Sequence, residues 1–297
     1  MPESNLSAGS PRAAFLPLSV IVPLAALLIL FFVVLLFPWD SLGRRVAWEI
    51  SRASGARVDV PNLTPALTAR GPVLRALDVT IEHPAIDHVQ LFELEISPRF
   101  SMSWFSGDPT LRLWARSGLG NIDGVLRLGN ESAFVGTVSE VELARLPLRL
   151  DASGIRFGGV LSADADVALD PNGTLRGRVD FVSPSLYLQS SLLPVEIPFS
   201  NAEGTIEILE NGATRISSIV LEGGVVEAEL SGEIGLVHRS QSPPIDLTVH
   251  IRILDPMLKR LAPSAGLRLS RTGEADIRLG GTLDRPKILS SQGRARR

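Results

Sequence analysis

Residues 225–254 read VVEAELSGEIGLVHRSQSPPIDLTVHIRIL. Apolar and polar side chains alternate through 225–236 and again through 245–254, with the turn signal SPP at 242–244 between them. A period of two buries one face of a β-sheet and wets the other. The alternation recurs in LRLWA at 111–115, GVLRLG at 124–129, DADVALD at 164–170, TIEIL at 205–209 and ADIRLGGTL at 275–283. DPNG at 170–173, ENG at 210–212 and EGG at 222–224 are turn sequences between such runs. Short runs joined by tight turns predict antiparallel hairpins from Arg57 onward.

Composition narrows the function classes. The 297 residues hold 29 Lys plus Arg against 32 Asp plus Glu, so no basic field invites nucleic acid. Cysteine is absent, which removes disulfides, thiolate zinc sites and cysteine nucleophiles. Aromatic residues make up 5% of the chain, too few for stacking platforms on single strands.

Residues 13–37 contain no charge and are rich in Leu, Val, Ile and Phe. As a helix, a run of this length spans the roughly 30 Å hydrocarbon core of a bilayer. Its apolar core is too long for a cleavable signal, and FFVVLLFPWD has no small residues at its end. The expectation is an uncleaved transmembrane anchor carried by Phe15, Leu27, Leu30, Phe32 and Phe37, with Trp39 at the interface. Arg12 precedes the run, whereas Arg44, Arg45, Arg52 and Arg57 follow it. Read by charge alone, that asymmetry holds the large domain in the cytoplasm, although long domains often override the rule.

Two short amphipathic helices are expected. In 40–55, Asp40 or Ser41 is the cap, Leu42, Val46, Ile50 and Ala53 share a face, and Gly55 is the stop. This helix either covers the end of the sheet or lies on the membrane with its arginines at phosphates. In the second, Asp255 caps, Pro256 fills the first turn, Leu258 and Leu261 give the apolar side, and Gly266 follows the end.

An apolar-x-Gly-x-apolar pattern returns at Gly124, Gly177, Gly232 and Gly281. The spacing of roughly 50 residues suggests a structural repeat. Glycine at a fixed place in a strand marks a bulge, a bend or a close backbone approach.

Chemistry-bearing motifs are weak. Glu82, His83, Asp87 and His88 lie close in sequence, but their spacing matches no zinc motif, and His83 before Pro84 reads as the edge of a turn. Asp164, Asp166, Asp170 and Asn172 lack the order of a calcium loop. GLGNIDG at 118–124 reads as a hairpin rather than a dinucleotide loop. No Walker or GxSxG motif occurs, so no catalytic, cofactor or metal residue is assigned. The terminal SQGRARR is a basic tail, with acidic lipid or protein as the alternative to disorder.

With these segments in place, the chain resembles the type II secretion system protein N (GspN) family, related to the AsmA/TamB-like envelope proteins. The resemblance rests on three stretches in order: FPWDSLGRRVAWEISRASGARVDVPNLTP, then SNAEGTIEILENGATRISSIVLEGGVVEAELSGEIGL at 200–236, then LGGTLDRPKI at 279–288. It implies a mainly β fold: an elongated, curled antiparallel sheet with one N-terminal transmembrane helix and two short amphipathic helices. It implies a tail at 1–12, the anchor at 13–37, the juxtamembrane helix at 40–55, a β-rich AsmA-like/GspN domain at 56–289 and the basic tail at 290–297. It further implies a non-enzymatic, single-pass bacterial inner-membrane protein with the domain in the periplasm, against the direction of Arg44 and Arg45. Such a protein acts as a scaffold of a type II protein secretion system. The alternative from the same relatives is a lipid-binding or lipid-transfer groove. Expected partners are membrane lipid and other secretion-system or envelope proteins, with no nucleic acid and the oligomeric state open.

Overall fold

The structure is a computed structural model of the whole chain. It describes residues 22–23, 28–29, 32, 36–54, 57–68, 71–83, 86–99, 108–129, 131–146, 155–170, 174–190, 196–236, 242–265, 267–283 and 285–292. The chain divides into two compact units, Met1–Trp39 and Asp40–Arg297.

Most of the expected anchor, including Phe15, Leu27 and Leu30, lies outside the described residues. Of the rest, Phe32 is helical and exposed, and the Phe37 and Trp39 rings meet with centroids 4.6 Å apart. Among the described residues no helix is long and apolar enough to cross a membrane.

The second unit is mainly β. Helix α1 (Trp39–Ser54) leads into two short strands, β1 (Arg57–Asp59) and β2 (Thr64–Thr68). The helix begins one residue before the expected Asp40, so neither Asp40 nor Ser41 stands outside it as a cap. Pro38 breaks the chain just upstream, and the Trp39 amide donates to the Phe37 carbonyl at 2.8 Å.

A long meander follows: β3 (Gly71–His83), β4 (Ile86–Pro98), β5 (Thr110–Ser117), β6 (Asn121–Arg127), β7 (Ser132–Glu142), β8 (Ile155–Leu169) and β9 (Leu175–Ser190). It continues with β10 (Ile197–Phe199), β11 (Asn201–Ile208), β12 (Thr214–Glu222), β13 (Val226–Ile234) and β14 (Ile245–Ile253). Helix α2 (Pro256–Leu261) then intervenes before β15 (Glu274–Thr282) and β16 (Arg285–Gln292). β16 pairs with β15 as far as Gln292↔Asp276.

The strands form one antiparallel sheet of sixteen, which does not close on itself. β1 and β2 share the outer edge of β3, and β10 pairs with β9 beside β11. Each remaining strand pairs with the next in sequence. That connectivity follows from hairpin turns such as Ser117, whose Oγ accepts the Leu119 and Gly120 amides at 3.1 Å.

Alternation slips by one residue at several bulges. Apolar positions are three apart, not two, at Leu91/Leu94, Val138/Val141 and Ile216/Ile219, and both members face the same side. Ala76 and Val79 are also three apart in one buried cluster, without a register shift against β4. A β-bulge adds one residue to one strand and restores the face beyond it. Glu140, inside the Val138/Val141 step, and Asp78, between Ala76 and Val79, take φ of 58° and 55°.

Two clusters cover the ends of the apolar face. In the first, Ala47 of α1 with Val60 and Leu63 packs on Ala76, Val79, Leu91 and Ala115. In the second, Leu258 of α2 and Ala262 pack with Ile197, Phe199, Val226 and Ile253. Asp255 caps α2 by accepting the Met257 and Leu258 amides at 2.8 and 3.0 Å. The expected apolar partner Leu261 is exposed instead, and Ala262 is buried in its place. The α-helix ends at Leu261 and tightens into a 3₁₀ turn at Ala262–Ala265, which rotates the buried stripe.

Candidate functional site

The meander sorts its side chains onto two faces of opposite character. Register places Leu113, Gly124, Gly136, Ala165, Val179, Ile206 and Ile216 in one continuous row across β5 to β12. The row beside it holds Ala115, Ile122, Val138, Ala163, Phe181, Gly204 and Ile219. β13 to β15 extend the face with Leu230, Val249 and Ile277. None of these positions is charged.

Where α1 or α2 packs on this face, its residues are buried; Val79 is 1% exposed. Between the two covers, Leu126, Phe134, Val138, Val167, Val179, Phe181, Ile206 and Ile208 are only half-buried. None of these eight belongs to the buried clusters beneath α1 or α2.

Two aromatic rings sit in seats made by glycine. The Phe134 ring lies across Gly124 and Gly136, where a Cβ would fall 2.6 Å from its atoms. The Phe181 ring lies against Gly204 at 2.7 Å by the same measure. These phenylalanines had no place in the sequence reading; the available signal was an aromatic residue two positions from glycine, as in Phe134-Val135-Gly136.

The four patterned glycines do different jobs. Gly177 has φ 150° and a Cβ there would meet the Asp166 carbonyl oxygen at 2.2 Å. Gly232 repeats that geometry, with φ 139° and the Asp246 carbonyl oxygen at 2.2 Å. Gly124 is a ring seat, and Gly281 belongs to the β15–β16 hairpin against Arg285. Only Gly177 and Gly232 share one structural role.

The opposite face is an array of ion pairs. Arg112 bonds Asp123 at 2.8 Å, Arg215 bonds Glu233 at 2.9 Å, and Arg278 bonds Asp246 at 2.8 Å, each across a strand pair. Arg178 and Asp180, two residues apart on β9, meet at 2.8 Å, and Thr205 donates to Asp180. Exposed pairs add little stability each, but they keep this face wet and fix register. Asp164 and Asp166 lie here, in an 870 Å³ depression shared with Thr137, Arg178, Asp180 and Glu207. Thr137 donates to Asp164 at 2.7 Å.

The bond from Arg178, then that from Thr205, holds the Asp180 carboxyl below the usual range. Arg278 does the same for Asp246. A carboxyl whose pKa is lower folded than unfolded stabilises above its unfolded pKa, and that stability fades as pH falls through the folded value. The denaturant midpoint is therefore expected to drop as pH falls below about 4. The Asp180→Asn/Asp246→Asn variant is expected to show a shallower drop, measurable by fluorescence-monitored urea unfolding.

His83 ends β3 and His88 lies on β4, where its Nδ1 is 3.9 Å from the Glu82 carboxylate, both exposed. The remaining histidine of note, His250, sets Nδ1 2.7 Å from Asp276 on the wet face. Among the described residues no group of three His, Asp or Glu is arranged to hold a metal ion. The Gly118 loop joins β5 to β6 as a hairpin.

No known protein family, characterised protein or solved structure matches this chain.

Proposed function

We propose that the protein is a non-enzymatic envelope scaffold, tethered to a bacterial inner membrane through residues 13–37, whose apolar sheet face shelters lipid acyl chains. The observation that carries this reading is the uncharged face running from β5 to β12, only half-buried between its two helical covers. A sheet whose one face is greasy and whose other face is laced with ion pairs must close, dimerise or take up an apolar ligand. Acyl chains suit a surface with directional hydrogen bonding only at its margins. Ser183 marks such a margin: it is fully buried and its hydroxyl donates to the Val160 carbonyl at 2.7 Å.

The resemblance of residues 200–236 and 279–288 to GspN and AsmA-like sequences supports this reading and, with it, a sheet on the periplasmic side. Phospholipid is expected to remain with the full chain after gentle solubilisation, as discrete mass additions in native mass spectrometry. A lipid-free protein under those conditions overturns the reading.

A second reading, a structural part of a type II secretion apparatus, is favoured by β16. Among the described residues no strand pairs with its outer edge, and Ile288 and Leu289 are exposed. An open edge accepts a strand from another protein.

A further inference from the structure

We propose that the outer arc of helix α1 is a docking surface for the headgroups of an anionic bilayer. Among the described side chains, the helix buries Gly43 and Ala47 and exposes Arg44, Arg45 and Trp48. Gly43 lies against the segment after β1, where a Cβ would stand 3.1 Å from the Val60 carbonyl oxygen and 3.3 Å from Leu63. Ala47 is buried in the same cluster. The Ser51 hydroxyl accepts the Val58 amide at 2.9 Å. These contacts fix the rotation of the helix about its axis.

On the side so turned outward, Arg44 and Arg45 are exposed, and Trp48 is 57% exposed. One turn is 3.6 residues, so Arg44, Arg45 and Trp48 fall within one quadrant or so of the helix. Arg52 follows Trp48 by four residues in sequence. An indole set among guanidinium groups is the arrangement of an interfacial helix: the ring sits at headgroup depth and the arginines meet phosphates. The sign of the charge selects an anionic surface, and the strength must fall with salt.

The proposal concerns α1 alone and holds whatever fills the apolar sheet face. Because the chain has no cysteine, a single introduced thiol carries a reporter without background. Ser41→Cys, labelled with an environment-sensitive fluorophore, is placed in the full chain in nanodiscs of phosphatidylcholine containing a spin-labelled quencher lipid. In a second set, about 30 mol% of the lipid is phosphatidylglycerol. Quenching is expected to be at least about twofold greater in the anionic discs, and to return to the neutral level at about 0.5 M salt. It is also expected to return in Arg44→Gln/Arg45→Gln/Arg52→Gln, with a label at Thr248→Cys reporting an unchanged sheet. Equal quenching in both lipids overturns the proposal, as does salt-insensitive quenching or a chain that associates with neither disc. The salt measurement needs no substitution in the helix, so it stands even if the triple variant folds poorly.

Discussion

Gly232→Ala and Gly177→Ala are each expected to destabilise the sheet by about 2–4 kcal/mol, far more than alanine costs at an ordinary strand glycine. At each site the added Cβ meets a neighbouring strand's carbonyl oxygen at 2.2 Å, and the residue holds a positive φ. Backbone cannot yield as a side-chain tip can, so either the ladder parts or the strand rotates. Parting breaks the Gly232↔Leu247 register in one case and the Gly177↔Val167 register in the other. Gly224→Ala serves as the control, because nothing lies within 4 Å of its Cβ direction. Urea unfolding of the three variants measures the difference; equal midpoints for all three contradict the close-approach role.

The second large effect comes from placing one carboxylate at two points of the apolar face. Val79→Asp is expected to cost about 4 kcal/mol or more. Val79 is 1% exposed beneath the cover of α1, and no cation faces it within its apolar cluster. Val179→Asp, on the half-exposed stretch between Ala165 and Ile206, is expected to cost about 1 kcal/mol, since water reaches the new charge. It is nevertheless expected to remove bound phospholipid, because the acyl chains then lie against a charge. A comparable loss of stability at both positions means that the middle of the face is covered.

The sequence carried the period-two runs plainly where no bulge intervened, as in IDLTVHIRIL at 245–254, which became β14 with its odd-numbered residues inward. It was silent where bulges break the period. SAFVGTVSEVE at 132–142 puts Val138 and Val141 on one face only because Glu140 adopts a positive φ between them. On β4 the period is broken in the same way between Leu91 and Glu93. The α2 cap at Asp255 was legible because capping is local, whereas the burial of Ala262 over Leu261 depends on where the helix tightens. The glycine pattern could be seen, but not its meaning. Whether a strand glycine seats a ring, as Gly124 does, or admits a carbonyl, as Gly232 does, is set by the partner strand. The continuity of the apolar face likewise emerges only from register across many strands.

Two Phe-Val pairs offer a direct test of the acyl-chain face. Phe134 and Phe181 lie on the apolar face, while Val135 and Val182 point to the ion-paired side, each one residue away. Benzoylphenylalanine is introduced at each position in turn in the full chain, cells are irradiated, and the purified protein is weighed by mass spectrometry. Phospholipid adducts at 134 and 181, and none at 135 and 182, are the expected result. Adducts absent from 134 and 181, or equal at all four positions, contradict the claim that this face holds lipid.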